Sequence, residues 1–271
     1  MILDFHNHVY PDHLAPRIVG SLKKSYVTCF TEGTIASLKS SMLRAGVTHA
    51  VILNIAGKPG QSQTVIDFAL QTMQNSQEDG FVIIPFASVH PFEENWKELL
   101  HKVKELGFKG LKLHPNIQRF NVDDPKLEDY YNEVAKLGLI LVLHAGLDNS
   151  LPEIRHASPE RIYNVLPLLE QGTTIVAHMG GNAVQHRAYP LLCGRNIYFD
   201  TAFYFDKIDT ELLRDIFKKH TTDKILFGSD TPCWDQTTAV CYFKEGFAPG
   251  FLSEADTRKV LFNNGAKLLG L

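Results

Sequence analysis

Residues 109–144 hold one complete strand–helix–strand unit, KGLKLHPNIQRFNVDDPKLEDYYNEVAKLGLILVLH. The runs at 109–114 and 139–144 are short and largely apolar, which is typical of buried parallel strands. Between them, 127–137 has the apolar spacing of a helix. Asp124-Pro125 predicts the start of this helix, and Gly138 predicts its end in a left-handed cap. The stretch therefore predicts two neighbouring parallel strands joined by a helix.

The same alternation extends in both directions along the 271 residues. Strands are predicted at 2–8, 48–54, 81–89, 109–114, 139–144, 173–178, 196–201 and 224–230. Helices are predicted at 34–45, 62–73, 94–106, 127–137, 159–170, 207–219 and 254–269, with a weaker pattern at 182–193. Gly46, Gly107 and Gly172 occupy helix ends as Gly138 does.

Eight strand–helix units predict an α/β protein, a single (β/α)8 TIM barrel of parallel strands over residues 1–271. An open doubly wound sheet is the alternative. It is disfavoured because no glycine-rich phosphate loop follows the first strand.

The composition excludes several classes of protein. The chain has 27 Lys+Arg against 30 Asp+Glu and is 44% hydrophobic, which is incompatible with intrinsic disorder. It contains no apolar run of ~18 residues, no basic run and no secretory leader, so we expect neither a membrane nor nucleic acid as a partner. Four cysteines without a C-x-x-C pair indicate a reduced, cytoplasmic location.

Polar residues end most of the predicted strands, where the active site of a barrel lies. His6 and His8 are two apart on one strand, so both point to the same face and can chelate one metal ion. A third imidazole and a carboxylate from other strands complete a donor set that zinc favours. A single H-x-H is weak evidence, because buried histidines are often only hydrogen-bonded. The strand-end set is His6, His8, Lys112, His114, His144, His178 and Asp230.

Four phrases, in this order, resemble the amidohydrolase superfamily: LDFHNH (3–8), LVLHAG (141–146), VAHMGG (176–181) and LFGSDTP (226–232). GFKGLKLHP (107–115) and GSDTPCWD (228–235) resemble its amidohydrolase-2 branch of predicted metal-dependent hydrolases with a TIM-barrel fold. That branch also contains aminocarboxymuconate-semialdehyde decarboxylase and other non-oxidative decarboxylases.

The resemblance implies one divalent metal ion, with zinc expected and manganese as the alternative. Its ligands would be His6, His8, His144 and Asp230. Asp230 would also act as the general base towards a metal-activated water. His178 would lie beside that water or bind a second metal.

Lys112 decides the expected number of metal ions. In binuclear relatives a carboxylated lysine on strand four bridges two ions. Here Lys112 is equally suited to hold a substrate carboxylate, and we favour one ion.

Asp200, at the end of strand seven, can orient a site group or cap a helix. Further candidates for substrate contacts are His114, Arg119, Arg155 and Arg187, and candidates for the pocket wall are Phe203, Tyr204 and Trp234.

The leading functional interpretation is hydrolysis of a small-molecule amide, ester or lactone. The alternative is metal-dependent decarboxylation of a small unsaturated or aromatic acid on the same ligands. A TatD-type nuclease is disfavoured because strand four carries no glutamate, and a metal-free binding barrel is disfavoured because the ligand set is complete. The chain is also compatible with a homo-oligomer.

Overall fold

The structure is a computed structural model that describes residues 1–271 except Tyr26, 75–79, 153–154, Tyr204 and the side chain of Asp206. Over these described residues, eight parallel strands follow one another in chain order. They are β1 (Leu3–Asn7), β2 (His49–Leu53), β3 (Val82–Phe86), β4 (Gly110–Leu113), β5 (Ile140–Leu143), β6 (Thr174–Val176), β7 (Tyr198–Asp200) and β8 (Ile225–Leu226).

The strands close into a barrel. Continuous ladders join β1 to β3 and β4 to β8. Across the β3–β4 seam, the amide of Lys112 donates to the carbonyl of Ala87 at 2.9 Å. Across the β8–β1 seam, the amide of Phe5 donates to the carbonyl of Phe227 at 2.8 Å, and Asn7 bridges to Thr231. The fold is therefore the predicted TIM barrel.

Helices alternate with the strands. They are α1 (Ala15–Lys24), α2 (Ile35–Ala45), α3 (Ser62–Gln74), α4 (Trp96–Glu105), α5 (Pro115–Gln118), α6 (Glu128–Lys136), α7 (Pro159–Asn164), α8 (Leu166–Leu169), α9 (Gln185–Leu192), α10 (Thr210–His220), α11 (Gln236–Cys241), α12 (Glu254–Arg258) and α13 (Asn264–Leu269). π-Helical turns at Tyr242–Phe247 and Lys259–Asn263 continue α11 and connect α12 to α13. No helix in the described part of the chain is long and apolar enough to cross a membrane.

The strands lie where the sequence predicts them, but helices α1, α5 and α11 were not predicted, and one predicted helix is divided. Helix α1 was not predicted, because Pro16 and Gly20 interrupt its pattern and only Ala15 and Val19 are buried. The helix predicted over 159–170 is divided at Val165, just before Leu166-Pro167, where proline removes a backbone donor.

The predicted glycine caps are confirmed in three of four cases. Gly46, Gly107 and Gly138 have φ of 68°, 85° and 62°. The prediction for Gly172 is wrong, since this residue has no positive φ. A Cβ there would lie 3.1 Å from the Cα of Ala135 on α6, so close packing of the chain against this helix is what requires glycine.

Two apolar clusters fix the barrel beneath the strand ends. One joins side chains of neighbouring strands, including Phe5, Val51 and Val142. The other packs helices onto the strands and includes Leu38 of α2 and Leu100 of α4. Rigid packing on both sides of the strands holds their carboxyl ends in fixed relative positions.

Candidate metal centre

A pocket of about 620 Å³ opens at the carboxyl ends of the strands. Its lining contains every polar residue of the predicted strand-end set: His6, His8, Lys112, His114, His144, His178 and Asp230. The structure therefore brings together side chains from β1, β4, β5 and β6 and from the segment after β8.

His6, His8 and Asp230 form the tightest part of this group, with one ligand atom of each within 4.8 Å of the others. Asp230 Oδ1 lies 3.1 Å from His8 Nε2 and 3.5 Å from His6 Nε2. Both imidazoles and the carboxylate are largely buried. Asp230 Oδ1 thus faces the Nε2 atoms of His6 and His8 in a place shielded from bulk water. This geometry suits a cation bound by all three residues.

Hydrogen bonds to acceptor-only partners fix the protons on these rings. His8 Nδ1 donates to the carbonyl of Leu53 at 2.6 Å, and His6 Nδ1 donates to Asp200 Oδ2 at 2.8 Å. In the neutral rings, Nε2 of each histidine therefore carries a lone pair. Two lone pairs and a carboxylate repel one another unless a proton or a metal ion lies between them.

His144 belongs to a stack of imidazoles beside this group. Its ring lies 3.8 Å from that of His114, nearly parallel, and its Nδ1 lies 3.1 Å from His178 Nε2. His178 Nδ1 donates to the carbonyl of Ala202 at 3.1 Å, so His178 Nε2 accepts from His144. This leaves His144 Nε2 with a lone pair, and the atom is buried with no hydrogen-bond partner among the described residues.

A divalent metal ion fits these donors. The Nε2 lone pairs of His6, His8 and His144 and the carboxylate of Asp230 match the ligand types of zinc. Such an ion would also provide a partner for His144 Nε2, which is buried without a hydrogen bond among the described residues. His144 lies next to the tight trio rather than within it, since it is absent from the group whose atoms are all within 4.8 Å.

Asp200 positions two of these histidines. Besides accepting from His6, it accepts through Oδ1 from the amide of His178 at 2.8 Å. Although His6, His178 and Asp200 also form a compact trio, the contact between His6 and Asp200 is already a hydrogen bond. We therefore assign Asp200 to orientation of the ligands, the first of the two roles considered for it.

The backbone at two site residues is held in the left-handed region. His178 has φ of 60° and Asp230 has φ of 71°, which is uncommon for residues other than glycine. The amide of Asp230 donates to the carbonyl of His6 at 2.8 Å, and Asp200 holds the amide of His178. Such conformations are retained where surrounding contacts enforce them, often at functional sites.

Lys112 is fully buried at the base of the pocket, with Nζ 3.2 Å from His6 Nε2. Burial lowers the pKa of Lys112 to about 8, against the opposing effect of Asp200 and Asp230. The amine is therefore still mostly protonated at neutral pH. It donates to the lone pair that a metal ion would use, so binding of a metal ion would free this ammonium for another acceptor.

The electrostatics separate the site into ionised acids and neutral imidazoles. Burial and nearby Lys112 lower the pKa of His6 to about 4. Burial opposes ionisation of Asp230, but the proximity of His6 and His8 holds its pKa below the usual range. The pKa of Asp200 is likewise lowered, chiefly by His6 against the effect of burial. Neutral imidazoles and ionised carboxylates are the protonation states that ligate metals.

The predicted arginine contacts are not brought into this pocket. Arg119 lies on a separate surface depression beside Lys58 and Phe92. Arg155 is exposed and donates to the carbonyl of Pro152, while Arg187 forms a two-pronged ion pair with Glu160. Among the described residues, Lys112 is the basic side chain other than histidine that lines the pocket.

The predicted aromatic wall is present in part. Phe203 lines the pocket, and Trp234 packs edge-on against it with ring centroids 6.1 Å apart. Tyr204 lies outside the described residues. Phe203 also approaches the ring of His178 at 6.4 Å, so it borders the imidazole stack.

Several lining residues were not anticipated from the sequence, among them Tyr10, Asp148 and Asn182. His114 Nδ1 accepts from the amide of Ile117, so its Nε2 carries a proton towards Asp148 Oδ2 at 3.5 Å. His114 is thus a hydrogen-bond donor in the pocket wall. Gly146 was the available signal for Asn182, because a Cβ at Gly146 would lie 2.3 Å from the amide nitrogen of Asn182.

Comparison with known proteins places the chain in a family. A family model described as Amidohydrolase matches residues 4–271. No curated protein sequence matches the chain.

Several solved structures share the fold over nearly the whole of both chains. An uncharacterised TIM-barrel protein from Bordetella bronchiseptica has a TM-score of 0.78 at 18% identity, with 99% of this chain and 98% of that chain covered. A 2,6-dihydroxybenzoate decarboxylase in complex with 2,6-dihydroxybenzoate has a TM-score of 0.75 at 16% identity, with coverages of 100% and 99%.

A dihydroxybenzoic acid decarboxylase from Polaromonas sp. JS666, with bound manganese and the inhibitor 2-nitroresorcinol, has a TM-score of 0.71 at 16% identity. The structural alignment covers 100% of this chain and 97% of that chain. At these identities the likeness establishes the fold.

Proposed function

Since the chain belongs to the amidohydrolase family and is an enzyme of that superfamily, we propose that it removes carbon dioxide from a small aromatic or unsaturated carboxylic acid. The reaction is metal-dependent and non-oxidative. It is the alternative considered from the sequence, and two of the similar structures are decarboxylases of dihydroxybenzoic acids.

The observation that carries this proposal is buried Lys112 at the base of the pocket. A carboxylate substrate supplies this ammonium with a counter-charge and a hydrogen-bond acceptor. A neutral amide or lactone brings no counter-charge to this buried ammonium, which would lose its hydrogen bond to His6 once His6 ligates a metal ion.

We assign the metal ion to His6, His8, His144 and Asp230. When bound, a divalent cation supplies positive charge that stabilises negative charge developing on substrate oxygens. The donors suit zinc, and manganese is present in one similar structure. We propose a single ion, because His178 Nε2 accepts from His144 and therefore has no lone pair available for a second ion in this geometry.

Asp230 is our candidate for the proton carrier. Its Oδ1 faces His6 and His8, so Oδ2 is the atom assigned to hold the proton. Asp230, ionised at rest, first takes a proton from solvent. The bond between the substrate carbon and its carboxylate breaks, carbon dioxide leaves, and the electron pair remaining on the carbon takes that proton, which leaves Asp230 ionised again. Lys112 and Phe203 hold the acid in place by charge and by ring contact.

Hydrolysis is the second candidate, and the polar rim of the pocket favours it. Asp148, Ser150 and Asn182 line the opening and would admit and orient water. The same ligands and Asp230 would then serve to activate that water towards an amide, ester or lactone. The two reactions differ in what is incorporated into the product.

The decisive experiment supplies metal-loaded protein with hydroxybenzoic acids labelled at the carboxyl carbon. Decarboxylation releases labelled carbon dioxide, and in deuterium oxide it leaves one deuterium at the carbon that lost it. Incorporation of oxygen from labelled water into products of esters or lactones, without release of carbon dioxide from any acid, would establish hydrolysis instead.

The ligand assignment predicts that His8→Ala and Asp230→Asn each abolish turnover and lower the bound metal, while far-ultraviolet circular dichroism stays unchanged. Metal content by mass spectrometry and turnover are measured on the same samples. Full activity in either folded variant would overturn the proposed centre.

A further inference from the structure

Two cysteines meet at the mouth of the pocket from opposite ends of the chain. Cys29 follows α1, and Cys233 follows the ligand-bearing segment after β8. The amide of Phe30 donates to the carbonyl of Pro232 at 2.7 Å, and the ring of Phe30 packs edge-on against Trp234 at 5.9 Å. Each cysteine is next to these contacts, which hold the two segments side by side.

Both cysteines are free thiols, and each shifts the pKa of the other, so the two side chains lie close together. The neighbouring Cys233 thiol lowers the pKa of Cys29 to about 7; burial acts in the opposite direction, and the charge of Lys23 adds to the lowering. The lowered pKa raises the fraction of Cys29 that is the nucleophilic thiolate at neutral pH. Both residues are only partly buried, and Cys233 lines the pocket, so small oxidants have access to the pair.

We propose that Cys29 and Cys233 form a reversible redox-modification site, in which a hydroperoxide converts the two thiols into a disulfide across the pocket mouth. The thiolate of Cys29 attacks one oxygen of the hydroperoxide, the O–O bond breaks, and Cys29 becomes a sulfenic acid. The other oxygen leaves as hydroxide or alkoxide and takes a proton from solvent, which gives water when the oxidant is hydrogen peroxide. The thiol of Cys233 then attacks that sulfur of Cys29 and displaces water. Two thiols are oxidised, one peroxide is reduced, and a dithiol reductant reverses the change.

The cross-link would join two walls of the pocket. Tyr10 and Val27 line it on the side of Cys29, and Asp230 lies three positions before Cys233. The amide of Cys233 already donates to the carbonyl of Asp230 at 2.8 Å. Oxidation would therefore fasten the segment after β1 to the segment that carries a proposed metal ligand.

The other two cysteines provide internal comparisons. Cys193 is buried, and burial raises its pKa to about 12, so it should stay reduced. Cys241 is exposed and serves as a reference for an accessible thiol outside the pair. We expect Cys29 to react about tenfold faster than Cys241, because the thiolate is the reactive form.

The test treats the full-length reduced protein with hydrogen peroxide at neutral pH and counts free thiols over time. We expect two of the four to disappear together, a peptide map joining Cys29 to Cys233, and full recovery with dithiothreitol. Cys29→Ser and Cys233→Ser each prevent the cross-link, whereas Cys241→Ser does not.

This test does not depend on which reaction the enzyme catalyses, because disulfide formation is measured from peptide masses and from the number of free thiols. The proposal fails if Cys29 and Cys233 stay reduced while Cys241 is oxidised. It also fails if Cys29 stops at the sulfenic or sulfinic acid without pairing. The peptide map of the unmodified sequence decides this even if a serine variant folds poorly.

Discussion

At the scale of single residues, the site depends on which nitrogen of each histidine carries the proton. His6 and His8 each donate through Nδ1, to Asp200 and to the carbonyl of Leu53, and so direct an Nε2 lone pair towards Asp230. The residues behind the proposed ligands would therefore determine whether a metal ion can bind.

Asp200→Asn should lower metal affinity by about 10- to 100-fold. The amide nitrogen would face His6 Nδ1 as a second donor, which favours the tautomer whose Nε2 carries the proton and cannot ligate. Affinity is measured by competition with a chelator.

Asp209→Asn is the matched control, because asparagine also caps a helix and Asp209 caps α10 far from the ligands. Unchanged affinity in Asp200→Asn would show that Asp200 does not set the tautomer of His6.

Lys112→Met should lower kcat/KM for a carboxylic acid by about 100-fold while the metal stoichiometry stays the same, because it removes only the anchor for the carboxylate. Exposed Lys109→Met, on the same strand region, provides the comparison. Loss of a second metal equivalent in Lys112→Met would instead identify Lys112 as a bridging, carboxylated lysine.

At the scale of elements, the segments after β5 and β6 extend the barrel and support the imidazole stack. The amide of Asn182 donates to the carbonyl of Ala145 at 2.9 Å, and the amide of Leu147 donates to the carbonyl of Asn182 at 3.0 Å. Gly146 lies between them with φ of 84°, and a Cβ there would lie 2.3 Å from the amide nitrogen of Asn182. This close approach fixes His144 relative to His178.

Gly146→Ala should destabilise the protein by about 3 kcal/mol or more and weaken metal binding, because the methyl group overlaps backbone that has no room to move. Gly46→Ala is the control: its φ is 68° but nothing lies within 4 Å of the added Cβ. We expect about 1 kcal/mol there, from the backbone conformation alone. Urea unfolding compares the two, and equal losses would contradict the overlap.

At the scale of the whole molecule, buried neutral histidines make the metal-free fold sensitive to acid. His220 packs flat against Phe199 at 3.9 Å, and burial together with Lys224 lowers its pKa from 6.5 to about 4. Between these pH values the unfolded chain binds a proton that the folded chain excludes, so stability falls as pH falls. Asp4 acts in the opposite direction, since burial raises its pKa to about 6.

The free energy of unfolding of the parent chain should fall between pH 6.5 and pH 4, and in His220→Asn this fall should be smaller by about 3 kcal/mol. Asparagine keeps an acceptor for the amide of Gly194, which His220 Nδ1 binds at 3.1 Å, but it does not titrate. Urea unfolding in the presence of a chelator measures the slope. Parallel pH profiles for the variant and the parent chain would exclude His220 as a source of acid sensitivity.

The sequence by itself predicted the barrel and the strand-end histidines, lysine and aspartate of its pocket. Buried parallel strands are recognisable as short apolar runs, and closure brings their carboxyl ends to one face. Residues as distant as His6, Lys112 and Asp230 therefore had to converge. Helix α1 escaped prediction because its proline and glycine mask the helical pattern.

Only the tertiary structure decided which contacts the loop residues and the imidazole rings make, because the sequence positions of the strands do not determine them. The direction of Arg119 and Arg155 depends on loop conformation, and the protons of the imidazoles depend on partners such as Asp200 and Leu53. Cys29 and Cys233 meet because the segments after β1 and β8 become neighbours when the barrel closes. Local periodicity determines which face a strand residue occupies, whereas loop packing and hydrogen bonding determine what that residue touches.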